Sequence, residues 1–168
     1  MKQIAVYISN LSYRTDRRRS ICKQFYHKQL FKIHIVPAIQ HKTGAFGLWK
    51  TFLSIVAKER QNDSPYFVFC EDDHVFTEAY TDDFIMRRIE EADSLKADIL
   101  SGGVSWFETA IQIKENLFWL EKFNGMQFTV IYNCFMDSDV IKKIKFQTPM
   151  ESYGLNGVWG SWIIYQEI

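Results

Sequence analysis

The chain has 168 residues, of which 47% are apolar, 16% aromatic and 24% charged, a balance typical of one globular domain with a sizeable core. Its formal net charge is zero, and no apolar stretch approaches the roughly 20 residues that cross a bilayer, which excludes a membrane-spanning helix. The first residues lead into a strand-like segment without the apolar core of a signal peptide, and the three cysteines lack metal-type spacing. We therefore expect a cytoplasmic protein with reduced thiols.

Apolar periodicity and turn residues predict the elements along the chain. In order, they are a strand over 4–8, a helix from about 15, a strand over 31–36, a helix from 44, a strand over 66–70, a helix over about 82–96, a short strand over 97–100 and a strand over 127–135. This alternation predicts an α/β fold in a single domain over 1–168, with a mostly parallel central sheet, flanking helices and right-handed crossovers.

Several boundaries have specific signals. Thr15 is the predicted cap of the first helix, Pro37 ends the second strand because it lacks an N–H group, and Ser138 is the predicted cap of a short helix. Residues 104–126 allow no assignment. The apolar segment 162–165 is either a final docked strand or the end of a shortened chain.

Three consecutive carboxylates, Glu71, Asp72 and Asp73, directly follow the apolar run 66–70. A short apolar run bounded by turn residues is typical of a buried parallel strand, and ligands of open α/β sheets bind at the carboxyl ends of such strands. Adjacent acids repel one another unless a cation or protons compensate them, and oxygen ligands suit Mg²⁺ or Mn²⁺. The pattern therefore indicates either a divalent metal site that also holds a substrate phosphate or a solvated acidic turn.

Positive charge is concentrated in the first part of the chain. Residues 1–60 carry 12 Lys and Arg against two acids, a net charge of +10, and residues 61–168 carry 8 against 18, a net charge of −10. An anionic ligand between the basic half and a metal-loaded acidic cluster would use both, but attraction between the halves or a solvated helix face at 17–19 explains the same pattern. Because the positive charges are spread around amphipathic helices, we expect no nucleic-acid partner and at most peripheral contact with a membrane surface.

Three segments together resemble glycosyltransferase family 25, the lipopolysaccharide-type β-galactosyltransferases. Residues 9–18, Ser-Asn-Leu-Ser-Tyr-Arg-Thr-Asp-Arg-Arg, are similar to the family's opening, in which the first strand runs into an Asn-Leu pair with an Arg six residues after the Leu. Residues 44–52 resemble the second signature, Gly-x-x-Gly-Cys-x-x-Ser-His, and the acids at 71–73 resemble the acidic metal motif. The resemblance covers roughly residues 4–145.

The chain departs from the family pattern at five positions. Ser12, Tyr13, Leu48, Thr51 and Phe52 stand where the family has Asp, Arg, Cys, Ser and His. The change at Phe52 removes a polar group expected near the site. The family's C-terminal portion, which helps to bind the acceptor, is short or absent in this sequence.

The resemblance implies the GT-A nucleotide-sugar-binding fold and inverting transfer of a sugar, often galactose, from a UDP-sugar to lipopolysaccharide or another glycan, in the cytoplasm or at the inner face of the membrane. It implies a Mn²⁺ or Mg²⁺ ion that bridges the two donor phosphates and neutralises charge on the leaving UDP. Asp73 is the implied direct ligand. Glu71 contacts the metal, its bound water or the ribose, and Asp72 assists either residue.

Five further residues receive roles in the same reading, each with a plainer alternative. Arg14 and Arg17 would neutralise the leaving UDP, or are exposed helix charges. Asn10 would bond uracil or ribose, or only forms a turn. Gly44 and Gly47 would let the backbone approach the donor, or only begin a helix.

An inverting transfer also needs a general base that deprotonates the acceptor hydroxyl. Asp137, Asp139 and Glu151 are the candidates, and the choice between them stays open because the first two fit a helix N-terminus equally well. His74 is either a ligand or directed to the opposite face of the strand. Cys70 is expected in the core.

Two other functions stay open. A non-catalytic, degenerate glycosyltransferase-like module that binds a nucleotide, a glycan or a partner is favoured by the missing His and the short C-terminal portion. A Mg²⁺-dependent phosphate-ester enzyme would use the same acids, but the chain lacks the phosphate-binding Gly-x-x-x-x-Gly-Lys-Ser/Thr loop.

Overall fold

The computed structural model of the protein describes residues 3–137 and 162–165. The elements in chain order are β1 Ile4–Asn10, α1 Thr15–Phe25, β2 Phe31–Pro37, α2 Gly44–Glu59, β3 Tyr66–Glu71, α3 Asp82–Ser94, β4 Ile99–Ser101, β5 Trp106–Phe107, β6 Ala110–Lys114, β7 Leu117–Leu120, β8 Phe123–Asn124, β9 Phe128–Tyr132, α4 Asn133–Asp137 and β10 Trp162–Tyr165. None of the helices within these ranges is long and apolar enough to cross a membrane.

Eight of the described strands form one sheet in the order β2-β1-β3-β9-β4-β10-β7-β6, and β5 pairs with β8. β1 runs parallel to β2 and β3, and β10 runs parallel to β4. β9 runs antiparallel to both β3 and β4, as β7 does to β10 and β6. The α/β class and the flanking helices are confirmed and the leading strands are parallel, but beyond β3 the expectation of a mostly parallel sheet is corrected to a mixed one.

The reversed direction of β9 follows from the segment that precedes it. A strand that returns parallel to its predecessor needs a crossover to the other edge of the sheet, usually a helix. Residues 102–127 instead contain the short strands β5 to β8, and Gly102 N donates to Phe128 O at 2.7 Å. The chain therefore leaves β4 and enters β9 at the same edge, which makes the two strands antiparallel.

Alternate residues of β1 and β3 pack into different helical layers, as the two-residue period of a strand requires. Val6 and Val68 belong to the apolar cluster that contains residues of α1 and α3. Tyr7, Phe67 and Phe69 belong to the cluster that contains residues of α2 and α4. Both faces of the central strands are thus covered, which explains their nearly continuous apolar sequence.

Some predicted boundaries change. Thr15 is not the cap of α1, because the helix begins at Thr15 itself and its N-cap position is Arg14, without a side-chain cap bond. α3 has such a cap, since the Thr81 hydroxyl accepts from Phe84 N at 3.0 Å. The tail segment forms β10 between β4 and β7, as the docked-strand alternative expects. The helix predicted after Ser138 lies outside the described residues.

A polar cluster lies within the α2 layer. Tyr7 donates a hydrogen bond to Glu59 Oε1, and Asn62 Nδ2 donates to the same oxygen at 2.9 Å. His34 stacks on the Tyr7 ring with centroids 5.1 Å apart. Burial is the largest cause that raises the pKa of the Tyr7 hydroxyl, and the hydrogen bond to Glu59 raises it further. The hydroxyl therefore remains a donor. The bond anchors the end of α2 to β1.

Replacing Tyr7 by Phe removes a donor from a buried carboxyl group, and we expect a loss of about 1–3 kcal/mol in the free energy of unfolding. Urea denaturation measures it. Tyr13→Phe, at an exposed tyrosine, is the matched control and should change stability by less than about 0.5 kcal/mol. Equal stabilities of the two variants would contradict an anchoring role for the Tyr7 hydroxyl.

Candidate functional site

The carboxyl ends of the three parallel strands meet at one edge of the sheet. Asn10, the last residue of β1, pairs with Pro37 at the end of β2, and Ser9 pairs with Glu71 at the end of β3. Ala38 N donates to Asn10 O at 2.9 Å, which brings the start of the β2–α2 loop to the same edge. Residues 9–18 and 71–73 therefore meet here, and residues 44–52 follow the loop that starts at this edge.

The Asn10 side-chain amide forms hydrogen bonds with two other segments of the chain. Its Nδ2 donates to Asp72 Oδ2 at 2.7 Å and to the Arg14 carbonyl at 3.2 Å, and both Asn10 and Asp72 are buried. The first bond joins the end of β1 to the turn after β3. The second orders the loop that leads into α1, so the side chain acts here as a tie between segments.

Arg17 compensates the acidic turn. Its Nη1 donates to Asp72 Oδ1 and to Asp73 Oδ2, each at 3.0 Å. The side chains of Arg17 and Asp73 are 40% and 42% exposed, whereas that of Asp72 is 10% exposed. The guanidinium group thus compensates the charges of these two neighbouring carboxylates.

Arg14 faces a different acid. Its Nε and Nη2 donate to the two carboxylate oxygens of Asp16 at 3.0 and 2.8 Å, in an exposed bidentate pair. The hydrogen bond from Arg14 lowers the pKa of the Asp16 carboxyl well below its usual range. Asp16 lies in the first turn of α1, where negative charge is favourable. The Arg14 guanidinium is therefore engaged outside the acidic turn.

Glu71 is the last residue of β3. Burial, followed by the neighbouring charge of Asp73, raises the pKa of Glu71 above its ordinary value, and the backbone of Met126 opposes this shift. The Met126 contact could not be found from sequence, because it uses a backbone group within the region that allowed no assignment. Next to it, burial raises the pKa of the Cys70 thiol, which lies in the core as expected.

The two glycines at the start of α2 differ. A Cβ atom on Gly47 would lie 2.3 Å from Ile39 O, whereas a Cβ on Gly44 would meet nothing within 4 Å. Thr51 strengthens the same contact, since its Oγ1 accepts from Ile39 N at 2.8 Å and donates to Gly47 O at 2.9 Å. The close backbone approach that Gly47 allows is therefore to the β2–α2 loop of the same chain.

Phe52 is part of the core and not of the site. It is 1% exposed, and its ring contacts Phe69 and Phe135 with centroids 5.4 and 6.3 Å away. A His at this position would be surrounded by aromatic rings. Phe52 therefore provides no polar group in place of the histidine of the resembled signature.

His74 packs against aromatic rings on the α1 and α3 side. Its ring lies 4.5 Å from Phe76 and 5.0 Å from Phe128, between centroids, and its buried Nε2 has no hydrogen-bond partner among the described residues. Burial lowers the pKa of His74 to about 4, so the ring is neutral at neutral pH. This position supports the reading in which His74 is directed away from the acids.

The open candidates for a general base receive no support from the described residues. Asp137 ends α4, which follows β9 at the edge of the sheet opposite to Asp72, because Tyr132 pairs with Tyr66 at the start of β3. Asp139 and Glu151 lie outside the described residues.

The carboxylates of the acidic turn are metal ligands of the type found in sites that also bind a nucleotide. By themselves they do not complete a metal site. No group of three or more His, Cys, Asp and Glu side chains in the described ranges is arranged to hold a metal by itself. Mg²⁺ and Mn²⁺ in nucleotide sites, however, use one or two carboxylates and take other ligands from phosphates and water. The half-exposed Asp73, together with Glu71 two residues before it, provides carboxylates of the type that such a site uses.

Comparisons with known proteins do not identify a family. No protein-family profile matches the chain, and no curated protein sequence matches it. The crystal structure of apo UDP-glucose pyrophosphorylase is similar with a TM-score of 0.49 and 9% sequence identity, over 98% of this chain and 73% of that chain. A similarity at this level carries no conclusion about the function of this chain.

The two glycines of α2 give a direct test of the loop contact. Gly47→Ala would drive a methyl group into the Ile39 carbonyl, and we expect a loss of about 1–3 kcal/mol in the free energy of unfolding. Gly44→Ala, the matched control in the first turn of the same helix, should be neutral or stabilising by up to about 1 kcal/mol. Chemical denaturation measures both, and a Gly47→Ala protein as stable as Gly44→Ala would rule out the close approach.

The lowered pKa of His74 predicts that the free energy of unfolding depends on pH. Its folded pKa of about 4 lies below the ordinary 6.5, so between these values the unfolded chain binds a proton that the folded chain does not. The stability that the neutral ring provides is present above pH 6.5 and is lost as the pH falls toward 4, by roughly 3 kcal/mol.

Unfolding curves recorded across this pH range should show a weaker pH dependence for His74→Phe, which keeps a ring but does not titrate. His27→Phe, at an exposed histidine, is the control and should keep the wild-type slope. A His74→Phe protein with that same slope would show that the side chain titrates normally.

Proposed function

We propose that this protein is a metal-dependent glycosyltransferase that moves a sugar, with galactose as the first candidate, from a UDP-sugar to lipopolysaccharide or another glycan. One observation carries the proposal. Residues 9–18 and 71–73 are distant in sequence, yet Asn10 and Arg17 bond the acids at the carboxyl edge of β1 and β3, where open α/β sheets bind ligands. Residues 44–52 follow the loop that leaves β2 at the same edge. Action in the cytoplasm, with peripheral contact at the inner face of a membrane, belongs to the same proposal.

The acidic and basic residues at this edge have different proposed roles. Asp73 and Glu71, with Asp72 assisting, would hold a Mn²⁺ or Mg²⁺ ion, which when bound to the diphosphate supplies Lewis-acid stabilisation of the leaving group. Arg17 carries a second positive charge at the same edge and would bind phosphate oxygens. Asp72, held by Asn10, keeps the Arg17 guanidinium at this edge of the sheet. A cation at a developing phosphate charge stabilises that charge and lowers the barrier.

A degenerate module is the second candidate, and Phe52 is the observation that favours it. The position at which the family has a His is filled by a core side chain, and the acidic turn is already compensated by Arg17. A protein of this kind would bind the nucleotide or a glycan without turnover. Binding and turnover therefore have to be measured separately.

Isothermal titration with UDP in the presence of Mn²⁺ tests the binding step. We expect wild-type protein to bind, and Asp73→Asn to bind at least tenfold more weakly, because a lost charged ligand is worth about 1.5–3 kcal/mol. Asp63→Asn, at an exposed acid before β3, is the matched control with unchanged affinity.

Absence of UDP binding by wild-type protein with Mn²⁺ would refute the transferase proposal, as would an Asp73→Asn protein that binds normally. Release of UDP from UDP-sugars, tried with a panel of glycan acceptors, then separates the two candidates. Turnover supports the transferase, and binding without any turnover supports the degenerate module.

A further inference from the structure

Arg17 occupies the position that a cation between Asp72 and Asp73 would take. A single nitrogen, Nη1, bridges the two carboxylates with two bonds of 3.0 Å. This is not the two-nitrogen fork in which arginine binds one carboxylate most tightly. Within the described part of the chain, Nε and Nη2 make no hydrogen bond, so the guanidinium retains donors for another anion.

The two contacts differ in how easily they break. Arg17 and Asp73 are both about two-fifths exposed, and ion pairs of this kind are typically worth less than about 1 kcal/mol. Asp72 is far less exposed and keeps its bond to Asn10 Nδ2 when Arg17 leaves. Asp72 would then keep one hydrogen bond, and an incoming cation would have to compensate its charge.

We propose that Arg17 is an exchangeable counter-ion: it competes with a divalent cation for Asp72 and Asp73 in the ligand-free protein, and it moves onto the diphosphate when donor and metal bind together. This inference rests on the proposed function. A divalent ion that enters alone meets the positive charge of Arg17, which opposes binding. A diphosphate offers Arg17 a new partner and frees the carboxylates, so nucleotide and metal binding favour each other.

Binding of Mn²⁺ alone, followed by the EPR signal of the free ion, tests the competition. We expect Arg17→Gln to bind Mn²⁺ at least about tenfold more tightly than wild-type protein, because the metal no longer displaces a charge-assisted bond. Arg18→Gln removes the same charge from the next residue of α1 and should bind like wild type. If Arg17→Gln does not fold, Arg17→Met gives the same comparison.

The double variant Arg17→Gln/Asp73→Asn locates the effect, since the gained Mn²⁺ affinity should be lost again. Arg17→Gln or Arg17→Met that binds Mn²⁺ no better than Arg18→Gln would overturn the competition. A gain that persists in the double variant would also overturn it, because the metal would then lie elsewhere.

The exchange is measured by UDP titration in the presence of Mn²⁺. Arg17→Gln should bind UDP about tenfold more weakly than Arg18→Gln, since one charge-assisted contact to phosphate is lost. Equal UDP affinities would overturn the movement onto the diphosphate. Failure of wild-type protein to bind UDP refutes the proposed function instead, and the comparison with Mn²⁺ alone remains decisive for the competition.

Discussion

Two neighbouring carboxylates at the end of a buried strand are the constraint that organises this edge of the sheet. Asp72 is almost fully buried, and a buried charge is costly unless it is paired and hydrogen-bonded. Asn10 and Arg17 satisfy it from β1 and α1, across 62 and 55 residues of sequence. The conformation of the β1–α1 loop, the orientation of the first turns of α1 and the turn after β3 are therefore fixed by the same three side chains.

The leading half of the fold could be predicted from the sequence because its signals are local. Apolar runs of strand length and stripes of helical period alternate up to residue 96, and each strand end has a turn or a proline. Residues 104–126 gave no such signal, since the strands there are two to five residues long and β6 is exposed throughout. The direction of β9 depends on the path of this segment, so strand order and direction could not be derived.

The strand end that carries the three acids was predictable from the sequence, and the pairing of their side chains was not. The three acids have one sequence signature but three environments: burial raises the pKa of Glu71, Asp72 accepts from Asn10 and Arg17, and Asp73 accepts from Arg17 alone among the described residues. A turn directs successive side chains differently, and sequence does not give those directions. Arg14 and Arg17 are equivalent candidates by composition, yet only the second reaches the acids, because Asp16 binds the first.

The segment that resembles the second signature has a structural role in this protein. Gly47 and Thr51 hold the β2–α2 loop through Ile39. The ring of Phe52 packs against Phe69 and Phe135, so that a histidine placed there would bury an unpaired polar group. The described edge of the sheet offers charges of both signs, from Arg17 and from the acids after β3. These charges are the chemistry on which the ligand binding proposed for this edge depends.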